Sequence, residues 1–579
     1  LTGELGEFLK MIPVAVIVLI LASLVESFIF LPIHGLHILN RDDKELDWTK
    51  ANNFYRKCLE FILKYKKTFV FTFAISITAL TVFLISSMRY QMFPDFDGDR
   101  FFVKGKFNIN HTVEEVYTKT SSLEKRLLEM QDELGLKSIS YTVGLRTDNQ
   151  DETEIKPSVF QFNIEVKERV PQNFVDEYIT PIFSFTTEQE DRSREKSLDE
   201  IVVFLTKTFE DFKPEGLVEF AVKKEGAGIT ANDIEILLST QDEKLLEESI
   251  KELKAELKSI DGIIFVDDTA KKGIKELKIE INEYGQSLGF TEAGVSSILS
   301  SSYLKATQTK GLDEKGIIEF ITYDKNKNDF EKLEDFEIQV PNTTQQIELS
   351  EITNFKYFTN YDSLYKQNGL SIKSVVANVN NKIITATETI ELINNKLEEL
   401  ENKGVKIILQ GEEEQNKQMA KELSFAFFIA IFLIFITLLA MFDSFKYTLL
   451  VLSVIPFSVT GAILGHLVLG MNLTLTSIIG ILGLAGVVIN NAIVMLDFVK
   501  NTTTIDDLIK RATLRLRPIV ITSITTFLGL STLIFFATGQ SKILQPLAIS
   551  LGFGLLWGTV LTLLFLPALF AMLNKKIKG

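Results

Sequence analysis

The stretch GLAGVVINNAIVMLDF, residues 483 to 498, sets Asn490 and Asn491 side by side in a very apolar region, with Asp497 seven positions after the first. Polar side chains at membrane depth are costly and usually face a bundle interior or an ion path. At about 100° per residue, Asn490 and Asp497 lie near one helix face, two turns apart, and Asn491 sits one residue off that line. Gly483 and Gly486 on the preceding turns let another helix approach closely. A carboxamide does not titrate, so these asparagines can only hydrogen-bond a titrating partner elsewhere. The plainer alternative makes them interhelical glue and leaves Asp497 in water at the membrane boundary.

The following apolar run begins RLRPIVITSITTF. Arg515 and Arg517 fall near its membrane edge, where they could snorkel to lipid phosphate. Thr522, Ser523, Thr525 and Thr526 then form a hydroxyl-rich stripe. Each hydroxyl alone could back-bond to the carbonyl four residues earlier, but four together beside an asparagine-bearing helix point to a polar bundle core. Glu26 and His466, the other intramembrane polar residues, are expected to anchor their helices at the boundaries.

Elsewhere the chemistry is sparse. Histidines 34, 37, 111 and 466 make no spaced ligand set, so no resident metal site is proposed. KKEGAGIT, at 223–230, lacks the lysine and helix context of a phosphate loop, and nothing calls for a cofactor. Between residues 93 and 418 the only methionine is Met130, so a thioether relay for soft copper or silver ions cannot be built there. Phe160 and Phe162 share one strand face and could line a greasy substrate cleft or simply pack a core. A lone Cys58 excludes a disulfide framework within the chain.

The elements that must position these residues are membrane helices around a large aqueous insert. The 579 residues are 46% hydrophobic and 24% charged, and the mean hydropathy is +0.17. A net charge of −15 argues against a nucleic-acid partner. Seven segments, roughly 11–33, 68–87, 422–441, 446–470, 474–498, 517–538 and 545–573, are long and apolar enough to span a bilayer. Basic residues cluster in the 34–67 connection (Lys44, Arg56, Lys57, Lys64, Lys66, Lys67), in 499–516 (Lys500, Lys510, Arg511, Arg515) and in the tail (Lys575, Lys576, Lys578). That side is cytoplasmic, and the 88–421 insert falls outside. Leu1 in place of Met, with no recognisable signal peptide, suggests a fragment whose N-terminal part is missing.

The insert alternates strand and helix periodicity. RFFVKGKFNI, TVEEVYTKTSSLEKRLLEMQDEL and SVFQFNIEVK form one strand–helix–strand set. DIEILLST, EKLLEESIKELKAELKSI and GIIFVDDT form a second, and LSIKSVVANV, TATETIELINNKLEELENKG and VKIILQG a third. Residues 273–365 interrupt the second and third sets, as a nested subdomain or as part of one continuous α/β domain.

With these motifs in view, the chain resembles the C-terminal portion of a resistance–nodulation–division (RND) efflux pump of the hydrophobe/amphiphile exporter type. TGELGEFLKMIPVAVIVLILASLVESFIFLPIH is similar to the family's sixth membrane helix with its lead-in. FPDFDGDRFFVKGKF is similar to the start of the second porter half, and FDSFKYTLLVLSVIPFSVTGAILGH to helices eight and nine. GLAGVVINNAIVMLDF resembles helix ten and RLRPIVITSITTFLGL helix eleven. The resemblance implies an α-helical transmembrane bundle plus an α+β periplasmic porter/docking domain built from ferredoxin-like strand–helix–strand units. It divides the chain into helix six (1–33), a cytoplasmic amphipathic connection (34–67), helix seven (68–87), a first porter subdomain (88–224), a second one in two parts (225–272 and 366–421), a docking subdomain (273–365) and helices eight to twelve (422–579).

It further implies proton-driven, alternating-access export of hydrophobic or amphiphilic small molecules, by a secondary transporter and not an enzyme. The setting would be a homotrimer in the lipid of a bacterial inner membrane, with a periplasmic adaptor (membrane fusion) protein and an outer-membrane channel as partners. In the family the pseudo-repeated fourth helix carries an adjacent aspartate pair that takes up protons from outside. Carried over by position, the relay partners are Asn490, Asn491, Arg515 and Thr522, with Asp497 on the same helix. The better-known members have lysine where this chain has Asn490, so their lysine salt-bridge switch does not transfer. A heavy-metal-type RND exporter and a non-exporting accessory or regulator are the alternatives.

Overall fold

A computed structural model describes residues 6, 10–38, 47–94, 97–107, 111–147, 153–178, 192–210, 214, 216–224, 232–303, 306–313, 316–322, 333–361, 363–367, 369–381 and 383–574. Lys44, the 225–230 stretch, Lys575, Lys576 and Lys578 lie outside the described residues.

Among the described residues, seven helices are long and apolar enough to cross a membrane: Val14–Leu36, Lys66–Ser87, Glu414–Phe442, Phe445–Leu469, Leu475–Val499, Ile505–Phe536 and Gln545–Leu573. The sixth begins well before the expected residue 517, because its first turns mix charged residues with the apolar ones and do not read as a membrane span. Thr504 caps it by accepting the Asp507 N–H at 3.3 Å, and Asp506 and Asp507 complement the helix dipole in the first turn. Leu484, Val488, Leu496, Ala512, Leu555 and Phe570 share the membrane-helix core. Close helix approach depends on glycine. A Cβ at Gly480 would lie 2.7 Å from the Leu547 carbonyl oxygen, and one at Gly558 would lie 2.6 Å from Val488.

The chain divides into two compact units, Thr269–Lys366 and the remainder. Outside the membrane helices, the larger unit holds two sheets of like plan. In the first, the strands run Leu136–Thr147, Thr153–Val166, Arg100–Phe107, Leu217–Lys224 across the sheet, all antiparallel. Helices Val113–Glu129 and Leu198–Glu210 follow the first and third of its strands in chain order. In the second sheet, Ile263–Asp268, Leu370–Val379, Ile234–Ser239 and Lys406–Gly411 lie side by side in the corresponding order. Its helices Glu243–Ser259 and Ala386–Asn402 occupy the matching chain positions. Reciprocal capping boxes start one helix of each set, Thr112 with Glu115 and Thr385 with Glu388.

The smaller unit is built on Lys272–Ile281 paired antiparallel with Thr353–Tyr361. Ile281, Phe290, Val295, Leu349 and Ile352 form its core.

One expectation changes here. Phe160 and Phe162 are fully buried, and Phe162 stacks on Tyr141 at 4.2 Å between ring centroids. Their strand face is the one covered by helices, shared with Val116, Leu123, Ile201 and Leu205. The two rings therefore pack the core and line no cleft.

Candidate functional site

The Leu475–Val499 helix starts from a Thr474 capping box closed by Ser477. One of its faces is buried through Leu484, Val488, Asn491, Met495 and Val499, while Gly483, Gly486, Val487, Asn490 and Asp497 are exposed. The two asparagines therefore part company. Asn491 donates to the Ser523 hydroxyl at 3.4 Å, and Ser523 is 2.5 Å from the Thr559 hydroxyl, so one polar contact chain ties three helices together. Ser523 and Thr559 each also bond a carbonyl one turn back, to Ile519 and Leu555. Asn490 makes no hydrogen bond among the described residues.

Of the hydroxyl stripe, only Ser523 is buried. Thr522 donates to the Pro518 carbonyl at 2.8 Å, Thr525 to Ile521 at 2.9 Å and Thr526 to Thr522 at 2.9 Å. Proline has no N–H to give the preceding turn, which makes this a natural place for the helix to adjust. Thr522 and Thr525 are exposed, so the expected four-hydroxyl core is reduced to one buried serine with its new partner Thr559. An additional Cβ at Gly486 or Gly529 would meet nothing within 4 Å.

Asp497 pairs with Lys500 at 2.7 Å near the helix end, both partly exposed, as suits the aqueous boundary. Arg515 sits over the Phe498 ring, its guanidinium carbon 3.2 Å from the centroid. The structure thus brings Asn491 to Ser523 and Arg515 to the asparagine helix, while Asn490 and Thr522 remain on uncovered faces.

His466 corrects another expectation. Instead of anchoring a boundary it is completely buried. Its Nδ1 lies 2.9 Å from the Ala462 carbonyl oxygen and its Nε2 2.8 Å from the Ser477 hydroxyl. Because the carbonyl can only accept, Nδ1 carries a proton directed at Ala462. The Thr474, Thr476 and Ser477 cluster was the sequence signal that a buried polar partner was available.

A second feature escaped the motif reading. The segment after the Lys66–Ser87 helix is stitched to the 471–475 turn: Gln91 N–H to Leu473 O at 3.0 Å, Leu473 N–H to Arg89 O at 3.0 Å, Leu475 N–H to Met92 O at 3.2 Å. Glu412 accepts the Met92 N–H, and Arg89 pairs with Glu388 at 3.1 Å. Helix ends from the membrane and the Ala386–Asn402 helix therefore meet at one junction.

The AcrB/AcrD/AcrF family matches residues 1–574. Cobalt-zinc-cadmium resistance protein CzcA of Cupriavidus metallidurans is 26% identical over 361 residues, 60% of this chain and 34% of the relative. Swarming motility protein SwrC of Bacillus subtilis is 27% identical over 298 residues, 50% of this chain and 28% of the relative. Multidrug resistance protein MdtC of Pantoea ananatis is 32% identical over 152 residues, 25% of this chain and 15% of the relative. The chain thus spans about a third, or less, of these relatives' length. An X-ray crystal structure of a heavy metal efflux pump shares the fold, with a TM-score of 0.73 over 91% of this chain and 52% of that one, at 16% identity. On the match across residues 1–574, the chain belongs to the AcrB/AcrD/AcrF family of RND inner-membrane pump subunits.

Proposed function

We propose that the chain works as part of a secondary transporter that exports solute by ion-coupled alternating access. The observation that carries this is the uncovered polar face in the membrane: Asn490 and Thr522, with Gly486 and Gly529 leaving room for another helix. Polar groups at this depth find partners on a neighbouring membrane segment, here one supplying the titrating carboxylates that these helices lack between their ends. Asn490 and Thr522 then hold or release those carboxylates as the ion passes, while Asn491, on Ser523, and Arg515, over Phe498, set the helices that carry them. The Arg89–Glu388 and Met92–Glu412 contacts pass helix movement to the two porter subdomains, read as ferredoxin-like, outside the membrane. A homotrimer with a periplasmic adaptor and an outer-membrane channel is the assembly that goes with this reading.

For the cargo, similarity to CzcA and to a heavy metal efflux pump favours a divalent cation over an amphiphile. Methionine scarcity weighs only against soft copper or silver; cobalt and zinc bind well to oxygen and nitrogen ligands. The MdtC similarity supports the amphiphile as the second reading. Deleting the gene tests both. Sensitivity to cobalt, zinc or cadmium supports the cation, sensitivity to dyes, detergents or bile salts the amphiphile, and an unchanged profile for every compound counts against export.

A further inference from the structure

The Thr49–Lys64 helix ends directly at the start of the Lys66–Ser87 span, which fixes one of its ends at the membrane surface. Tyr55, Leu59, Ile62 and Leu63 are buried, and the Tyr55 hydroxyl donates to the Leu563 carbonyl at 2.7 Å. This face packs on the Ile505–Phe536 and Leu566–Leu573 helices. A different side is unaccounted for. Phe54, Phe61 and Tyr65 are 72%, 69% and 53% exposed and form one stripe at helical spacing. Beside it, rotated by about 60° at 100° per residue, Lys50, Lys57 and Lys64 recur every seventh residue along one stripe, all exposed. None of these lysines has a carboxylate partner among the described residues, and the Lys64 ammonium sits over the Tyr65 ring. Arg56, on another side of the helix, pairs with Glu60 at 2.9 Å.

Aromatic rings left in water at this exposure lose their hydrophobic contribution, whereas at the level of lipid headgroups they are well placed. A line of ammonium groups alongside them, with no carboxylate partner among the described residues, matches the phosphates that the same rings would approach. From this arrangement we infer that the Thr49–Lys64 helix is a binding surface for anionic phospholipid of the cytoplasmic leaflet. Phe54, Phe61 and Tyr65 enter the acyl boundary, and Lys50, Lys57 and Lys64 hold headgroup phosphates. Because the opposite face packs on two membrane helices, bound lipid braces the cytoplasmic end of the bundle. The inference is independent of which solute is exported.

The test is native mass spectrometry of the delipidated full-length protein titrated with phosphatidylglycerol, phosphatidylcholine or soluble glycerol phosphate. A basic residue at an anionic surface contributes about fivefold in affinity. The triple variant Lys50→Gln, Lys57→Gln, Lys64→Gln should therefore lose on the order of a hundredfold for phosphatidylglycerol at its tightest sites, with little change for phosphatidylcholine. Arg56→Gln should bind as the parent does, and Phe54→Ser with Phe61→Ser should weaken both lipids. A triple variant that keeps the preference for phosphatidylglycerol overturns the inference. So does competition by glycerol phosphate as strong as by the lipid, which would mean a phosphate site. Aromatic variants with unaltered lipid binding also overturn it, and would assign the stripe to a protein partner.

Discussion

Asn490 and Asn491 are neighbours in sequence and face opposite surroundings: Asn491 is buried and donates to Ser523 at 3.4 Å, whereas Asn490 stands exposed on the next face of the same helix. The about 100° turn between adjacent helical residues produces this split. One amide belongs to the packing of this bundle. The other is left for a partner that the described residues do not supply.

Two glycines on that helix separate internal packing from docking. Gly480→Ala would set a Cβ 2.7 Å from Leu547 O and 2.8 Å from the Ser550 Cβ, so the two helices must part; a loss of about 1–3 kcal/mol is expected. Gly486→Ala meets nothing within 4 Å and should alter stability by less than about 0.5 kcal/mol. Yet Gly486→Ala should depress transport, because the methyl group stands where another helix approaches. Thermal unfolding and vesicle transport, measured on both variants, check this. Gly486→Ala with parental transport would remove the docking role of this face.

An ion cluster around the buried Arg146 ties together all four strands of the first sheet. Arg146 is 3% exposed and reaches Glu219 at 2.5 Å and Glu154 at 2.7 Å, and Lys106 reaches Glu154 at 2.9 Å. Burial pushes the Glu154 carboxyl up, but Arg146, Lys106 and Lys156 outweigh it and hold it at about 2, below its usual 4.5. A depressed carboxylate contributes its full stability above pH 4.5 and loses it as pH falls toward 2. Arg146→Met takes the cation from Glu219 and leaves Glu154 to Lys106 and Lys156, and should cost about 3 kcal/mol near neutral pH. Protonation of Glu154 removes its part of the cluster from the parent as well, so the deficit should shrink in acid. Unfolding followed across pH would show this narrowing, and a deficit independent of pH would count against the cluster.

The orientation gives a labelling pattern. With Cys58 replaced, a cysteine at Ser541 should react with an impermeant reagent from outside, and one at Thr503 should not. Reaction of both from outside would reverse or break the assigned topology.

What the sequence discloses follows from the length scale of each signal. Seven long apolar runs are visible because each repeats one property over many residues, and capping pairs such as Thr112 with Glu115 mark where aqueous helices begin. The side of a helix that is covered is a tertiary fact. Alternation puts Phe160 and Phe162 on one strand face, but only the sheet's helices show that this face is the core. Likewise, spacing places Asn490, Asn491 and Thr522 on adjoining helices without telling which is buried. His466 looked like a boundary residue because its partner Ser477 lies across a turn, on the following helix. Thr559, the far end of the Asn491 chain, carries no local signal at all.

The most direct measurement is ion-coupled transport by the full-length pump in vesicles, across pH, with Asn490 replaced by Ala, Asp or Lys and folded assembly verified for each. If Asn490 hydrogen-bonds carboxylates on a neighbouring membrane segment, Asn490→Ala and Asn490→Asp should abolish or strongly reduce transport without loss of folded protein. Asn490→Asp should also shift the pH profile, because like charges crowd one another. Asn490→Lys supplies a cation for the same carboxylates and should retain more activity than either. If all three variants transport like the parent at every pH, Asn490 has no part in the coupling and the central claim fails.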